Sequence, residues 1–286
     1  GMKFTRQSLD YVHEVHGECQ KRGWNVVMEE DMLNHLKSKY DFSLPCKTYA
    51  TEQDFKKGID YMICLGGDGS FLRAVRFVRD SGVPILGINT GRLGFLSNIS
   101  KEAIGETFQL LEDKKYEFQK RSLIRVRTQD ELFGLENFAL NELTISKKDT
   151  SSMITVHAKL DGKYLNSYWA DGLMLSTPTG STGYSLSCGG PIVMPGSQNF
   201  IITPIAPHNL NVRPLVISDE YEIKVKVEGR ASQFLVALDS RIQTIDAGIE
   251  LTIKKEAFKI NMVETETQDF ASTLRNKLLW GLDKRN

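Results

Sequence analysis

Near Ser122 the hydrophobic pattern of this 286-residue chain changes period, and that change limits the folds open to it. Before it, apolar residues fall at helical spacing in some segments and in short continuous runs in others. After it, apolar and polar residues alternate. A continuous apolar run bounded by turn residues fits a strand buried on both faces, whereas alternation fits a strand with one wet face. One uniform architecture does not produce both patterns, so an α/β part and an all-β part are expected.

In the first part, residues 7–22 place Leu9, Val12 and Val15 at helical spacing. Trp24–Met28 reads as a short strand and Glu30–Lys39 as a second helix. Tyr61-Met62-Ile63-Cys64-Leu65 is apolar throughout and stops at Gly66-Gly67-Asp68-Gly69-Ser70. Phe71, Val75 and Val78 then share a helix face, and Pro84–Ile88 reads as the next strand. Strand, glycine turn, helix and strand make a βαβ unit with a parallel sheet. In the second part, Leu123–Arg127, Ile154–Leu160 and Tyr221–Val227 alternate, with Asp161-Gly162 as a hairpin turn. Gln233–Leu238, Glu250–Lys254 and Phe258–Val263 continue the pattern. Leu274, Leu278, Leu279 and Leu282 return to helical spacing. The expected organisation is an α/β domain over 1–120, a β domain over 121–263, and a terminal helix over 264–286 that returns to the first domain.

Lys and Arg together number 36, as do Asp and Glu, so the net charge is zero. A general attraction to nucleic acid or to an anionic membrane is therefore not expected. Any phosphate must be held locally, by loops and single side chains. Four cysteines without close-paired spacing read as reduced thiols, and no apolar run approaches the roughly 20 residues of a membrane helix. With no signal peptide ahead of the first helix, a cytoplasmic protein is expected. The five histidines form no ligand or catalytic constellation, and no metal site is assigned.

The turn at 66–70 lets backbone amides approach an anion at a helix N-terminus. Asp68 between glycines is either a helix cap, as Ser70 also is, or a group with chemistry to perform. Two common nucleotide signatures are absent: Leu72 stands where a Rossmann fingerprint needs its third glycine, and no P-loop motif occurs. Asn89–Leu96, after the next strand, is either a connecting turn or part of the same sheet edge. Asn141-Glu142 interrupts an apolar strand with an amide and a carboxylate, which suits ribose hydroxyls or an adenine amino group. Asp171-Gly172 and Asp239-Ser240-Arg241 are each a turn or a polar anchor. Thr177–Ser187 is a chargeless run of hydroxyls and glycines with one ring at Tyr184. It offers hydroxyls, amides and an aromatic face to a polyhydroxylated ligand, but no acid or base.

The order and spacing of GGDGS at 66–70, GINTGRLGFL at 87–96, Asn141-Glu142 and DGLMLSTPTGSTGYSLSCGGPI at 171–192 resemble the NAD kinase family. The likeness covers most of residues 60–240. The resemblance implies an α/β domain followed by a sandwich-like β domain, usually in a homotetramer. It implies transfer of a phosphoryl group from ATP to the adenosine 2′-hydroxyl of NAD, with a divalent cation, Mg²⁺, carried by ATP. Asp68 is implied as the proton acceptor, and Gly66, Gly67, Gly69 and Ser70 as phosphate-binding. The dinucleotide is implied to lie against Asp68, Gly69, Arg73, Asn141, Glu142, Trp169, Asp171, Ala206, Arg241 and the run Thr182-Gly183-Tyr184-Ser185-Leu186-Ser187.

Two positions depart from the family pattern. Similar chains open with a strand and a glycine-containing turn after Met-Lys-Phe, whereas here Phe4 leads straight to Thr5, so a segment missing at that junction is expected. Arg241 replaces a neutral amide and adds a positive charge that would favour a phosphate. Two rival functions are weaker. A lipid or sugar kinase of the wider GGDG superfamily leaves Asn141-Glu142 and the Thr177–Ser187 loop without purpose. A non-catalytic dinucleotide sensor leaves Asp68 without one.

Overall fold

The computed structural model describes residues 6–51, 53–54, 58–148, 152–266 and 268–280. The junction at Phe4-Thr5 and Leu282 lie outside the described residues. The chain divides into two compact units, residues 1–119 with 260–286, and residues 120–259. Among the described residues no helix is long and apolar enough to cross a membrane.

The first unit runs α1 (Arg6–Lys21), β1 (Val27–Glu29), α2 (Glu30–Tyr40), β2 (Lys47–Tyr49), β3 (Met62–Leu65), α3 (Asp68–Val78), β4 (Ile85–Ile88), α4 (Ile104–Glu112) and β5 (Glu117–Arg121). Strands β1 and β2 form a parallel pair. Strands β3 and β4 are parallel, with Met62 opposite Ile85 and Leu65 opposite Ile88. The buried face of α3 carries Phe71, Ala74, Val75 and Val78, as the apolar spacing predicts.

One strand belongs elsewhere than its pattern suggests. Ile260–Glu264 (β18), read from sequence as a continuation of the β half, lies parallel to β4 in the first unit's sheet, whose order is β3-β4-β18-β5. Its burial explains the error: Ile260, Met262 and Val263 are all buried, and a run of five residues carries no mark of which sheet it joins. The terminal helix α6 (Phe270–Leu278) follows. Asp269 caps it by accepting the Ser272 amide, and Leu279 ends it in the left-handed conformation at φ 58°.

The second unit is antiparallel. Its strands are β6 (Ile124–Arg127), β7 (Phe138–Ala139), β8 (Glu142–Lys147), β9 (Ile154–Leu160), β10 (Lys163–Ala170), β11 (Gly172–Ser176), β12 (Asn199–Ile205), β13 (Leu215–Ser218), β14 (Ile223–Glu228), β15 (Gln233–Leu238), β16 (Arg241–Asp246) and β17 (Glu250–Lys255), with one short helix, α5 (Tyr184–Ser187), between β11 and β12. They form two six-stranded sheets, β10-β9-β14-β17-β6-β7 and β13-β12-β11-β8-β15-β16. Val156, Ala158, Val225 and Val227 of one sheet pack with Leu143, Leu173, Phe200 and Phe234 of the other in a single core. This is a sandwich. Asp161 and Gly162, at φ 46° and 77°, turn β9 into β10 with Leu160 opposite Lys163. Strand β11 is buried at every position, and neighbours pair on both its edges. The chain leaves one sheet at Ala139 and enters the other at Glu142, so Leu140 and Asn141 form the crossing.

Candidate functional site

In the first unit, α3 begins at Asp68 with Gly67 as its N-cap and no capping side chain. Asp68 and Ser70 therefore do not cap the helix. The Asp68 carboxylate reaches instead across to the loop after β4. Oδ2 accepts the Phe95 amide at 3.0 Å, and Oδ1 accepts the Leu96 and Ser97 amides, each at 3.0 Å. A carboxylate has about four acceptor positions. Three consecutive amides fill three of them, and the remaining one is on Oδ2.

That loop is itself tied down. The buried Asn89 accepts the Gly91 amide at 2.6 Å and donates to the carbonyls of Arg92 (2.8 Å) and Ser97 (3.3 Å). Gly94 donates to the Ser97 carbonyl at 3.0 Å. Two glycines make this packing possible. A Cβ on Gly87 would stand 2.5 Å from the Leu96 carbonyl oxygen, and one on Gly94 would overlap the Asp68 carboxylate. From the other side, Lys277 of α6 donates to the Leu93 carbonyl at 2.7 Å, and Phe270 packs its ring 6.1 Å from that of Phe95.

The glycines of the turn divide into two kinds. Gly66 has φ 137°, and a Cβ there would overlap the Ser70 hydroxyl, so its lack of a side chain serves the fold. Gly67 and Gly69 have no atom within 4 Å of where a Cβ would stand. Nothing inside the unit requires them to be bare. Ser70 and Phe71 both donate to the Gly67 carbonyl. Among the described residues the amides of Gly67, Asp68 and Gly69 have no internal acceptor, as expected of the first turn of a helix. Arg73, one turn on, forms an ion pair with the buried Glu29 and stands 3.8 Å from Asp31.

The second unit repeats the device. Asp239, at φ 52° and with its side chain buried, accepts the amides of Leu140 (3.0 Å), Asn141 (2.8 Å) and Glu142 (3.2 Å). It thereby fixes the crossing between the two sheets. Burial raises the Asp239 carboxyl, opposed by those amides and by Arg241. Arg241 is spent locally. It donates to the carbonyls of Glu136, Phe138 and Leu238, and its guanidinium lies 5.4 Å from the Phe138 ring centroid. The charge expected to favour a phosphate is thus turned onto the protein's own carbonyls.

Asn141 and Glu142 sit against the hydroxyl loop. A Cβ on Gly180 would overlap the Asn141 carbonyl. One on Gly183 would stand 3.3 Å from Glu142 Oε2 and 3.7 Å from the Asn141 amide nitrogen. Glu142 Oε2 is buried and accepts no hydrogen bond among the described residues. Burial, and then the Asp239 charge, push this carboxyl up to about 8. Such a group holds its proton at neutral pH, and Oε2 is left without a partner among the described residues.

The loop hydroxyls fall short of the expectation that they face a ligand. Thr177 donates to the Leu140 carbonyl at 2.6 Å, Ser181 to the Pro178 carbonyl at 2.6 Å, and Thr182 to the Thr179 carbonyl at 3.2 Å. Ser185 lies 2.9 Å from the Thr203 hydroxyl. Thr177, Thr179, Ser181 and Ser185 are buried, whereas Tyr184 and Ser187 are exposed. The hydroxyls mostly build the loop, and its outward groups are the Tyr184 ring and Ser187. In a compact loop that leaves strand ends, internal hydroxyl bonds replace the missing ladder.

The remaining predicted residues gather at the other end of β11. Ser176 is opposite Glu142, and Gly172 is opposite Ser146, so about four residue steps, roughly 13 Å, separate the two ends. There Asp171 pairs with Lys147 at 2.5 Å, Ala206 adopts φ 45°, and the exposed Trp169 lies 4.2 Å from the His208 ring. One copy of the second unit therefore presents two groups of predicted residues rather than one. The packing of His208 on Trp169, the role of Asn89 in tying its loop, and the use of Phe95–Ser97 as amide donors carry no signal in the sequence. The GRLGFL motif marked the last segment, but nothing in it named Asp68 as the acceptor.

The described residues thus form a parallel α/β unit with bare amides at a helix start and an antiparallel sandwich. The crystal structure of yeast NADH kinase complexed with NADH superposes with a TM-score of 0.86 at 26% identity, over 98% of this chain and 86% of that one. An NAD kinase from Archaeoglobus fulgidus in complex with ATP gives 0.68 at 27% identity, over 88% and 96%. The ATP-NAD kinase N-terminal domain matches residues 3–116, and the ATP-NAD kinase C-terminal domain matches residues 140–265. The NAD kinase of Flavobacterium psychrophilum is 53% identical over 100% of this chain and 98% of its own length. That of Bacteroides fragilis is 42% identical over 93% and 91%. The chain belongs to the NAD kinase family.

Two outcomes follow for the apo protein. Gly94→Ala should cost about 1–3 kcal/mol in urea unfolding, because the methyl group must displace the Asp68 carboxylate or the loop. Gly91→Ala, whose Cβ would meet only Asn89 Oδ1 at 4.0 Å, should stay within about 0.5 kcal/mol of the parent. For Glu142 the folded-state pKa of about 8 lies above the carboxyl's ordinary 4.5. The contribution of this carboxyl to stability is therefore full below about 4.5 and is lost as pH rises through about 8. Glu142→Gln should gain stability relative to the parent as pH climbs through that window and show a constant difference beyond it, in melts run from pH 5 to 9.

Proposed function

We propose that the chain catalyses the reaction of its family, transferring the γ-phosphoryl group of ATP to the adenosine 2′-hydroxyl of NAD and yielding ADP and NADP. The observation that carries this reading is the Asp68 carboxylate, fixed by three loop amides next to the unfilled amides of Gly67–Gly69. A carboxylate is too weak a base to remove a sugar proton in advance. It orients the hydroxyl and takes the proton as the oxygen–phosphorus bond forms and the bond to the ADP oxygen breaks. With three acceptor positions filled, Oδ2 is the atom that receives it.

Gly66, Gly67, Gly69 and Ser70 are read as the phosphate turn. The two open glycines support this, since they leave room for an anion to reach the amides at the helix start. Mg²⁺ enters as part of the ATP substrate and neutralises triphosphate charge. Asn141 and Glu142, with Thr182–Ser187, are read as the dinucleotide contacts. The unpartnered Glu142 oxygen supports this, because a ribose hydroxyl supplies the donor it lacks. Trp169, Asp171 and Ala206 are read as dinucleotide contacts at the far end of β11, and Arg73 and Arg241 as residues that each brace their own unit from within. The terminal helix is read as docked on the first unit through Phe270 and Lys277. A homotetramer in the cytoplasm completes the reading, supported by the exposed apolar side chains of Leu210, Leu215 and Val216.

Incubation with MgATP and NAD should give 2′-phosphorylated dinucleotide, and product formed only from a lipid or a free sugar would reject the assignment. Asp68→Asn should lower turnover by about 10²-fold or more while NAD still binds. Gly69→Ala should raise the KM for ATP by about tenfold at unchanged or slightly higher melting temperature, since alanine is the better helix residue. An unchanged KM would remove Gly69 from the phosphate turn.

A further inference from the structure

A carboxylate is placed only as well as the amides that hold it, and those amides only as well as their loop. The loop carrying Phe95–Ser97 is tied within itself by Asn89, which holds Gly91, Arg92 and Ser97, and by the Gly94 amide on the Ser97 carbonyl. Among the described residues no bond from within the loop reaches the Leu93 carbonyl. Gly94 allows no side chain to wedge the loop, because that space belongs to Asp68. What grips the middle is α6, distant in sequence. Lys277 donates to the Leu93 carbonyl at 2.7 Å, across 184 residues, and its ammonium stands 5.5 Å from the centroid of the Phe95 ring. On the same ring lies Phe270, at the buried start of the helix. Phe270 is fixed in turn by the bond from its amide to the Glu264 carboxylate at 3.1 Å.

The helix therefore holds residues 93 and 95, and residues 95, 96 and 97 hold Asp68. We propose that Lys277 is a positioning residue for phosphoryl transfer: by fixing the Leu93 carbonyl and the Phe95 ring it presents the amides of Phe95, Leu96 and Ser97 that set the Asp68 carboxylate. This rests on Asp68 as the proton acceptor. Lys277 itself touches neither substrate nor the reacting atoms in this role. Its charge is used on a carbonyl and a ring face, both favourable partners for an ammonium.

Lys277→Met keeps a stem of similar length and removes the donor. The kcat for NAD phosphorylation should fall about tenfold, well within what a displacement below 1 Å costs, while KM for NAD and for ATP stays within about twofold. Lys277→Arg keeps a cation and donors, and should recover kcat to within about threefold of the parent. On an Asp68→Asn background, Lys277→Met should lower kcat no further, because both changes act on one group. Amide exchange at Phe95–Ser97 should be faster in Lys277→Met than in the parent. Parental kcat in Lys277→Met would overturn the proposal, as would an equal further loss on the Asp68→Asn background. If Asp68→Asn alone turned over at the parental rate, the reading of Asp68 would fall and the role of Lys277 with it. If Asp68→Asn is slow and Lys277→Met is not, only the role of Lys277 falls.

Discussion

A single carboxylate gripping three consecutive backbone amides is the contact on which each unit's site depends. Asp68 does this for residues 95–97, and Asp239 for residues 140–142. In both, a loop leaving a strand would otherwise turn unpaired N–H groups inward. Such groups are costly to bury alone, and charge-assisted bonds satisfy them at once. The two clamps differ in consequence. Asp68 keeps an acceptor position and so retains chemical capacity. Asp239, its side chain buried and further engaged with Arg241, is structural, and its charge helps to keep the neighbouring Glu142 protonated.

The clamps also explain which glycines the fold requires to be bare and which it leaves free. Gly87, Gly94 and Gly180 lie where a methyl group would strike backbone or a clamping carboxylate, whereas Gly67 and Gly69 face open space. A motif such as GGDG thus mixes two requirements that look identical in sequence. The same mixture runs through Thr177–Ser187. Its hydroxyls look ligand-facing as letters, yet most are consumed inside the loop, and the exposed groups are Tyr184 and Ser187.

Much of the fold was legible because local pattern decides it. The apolar run at 61–65, the helix face of Phe71, Val75 and Val78, and the Asp161-Gly162 turn each follow from period and turn chemistry alone. Ile260–Glu264 was not legible, since sheet membership is a long-range property. Asp68 was visible as an odd residue between glycines. Its partners were hidden, because a bond to backbone amides leaves no trace in side-chain identity. Arg241 shows the converse: its charge was plain, and the carbonyls that consume it could be known only once β16 was placed beside Phe138.

Asp68 is held by the amides of Phe95, Leu96 and Ser97. Residue-resolved amide hydrogen exchange tests this contact most directly, comparing the parent protein with Asp68→Ala. Those amides should be protected in the parent and should exchange at least about tenfold faster in the variant, the loss of about 1.4 kcal/mol of local protection. The Leu140–Glu142 amides, held by Asp239, should be unaffected. Equal protection of Phe95–Ser97 in the two proteins would contradict the account.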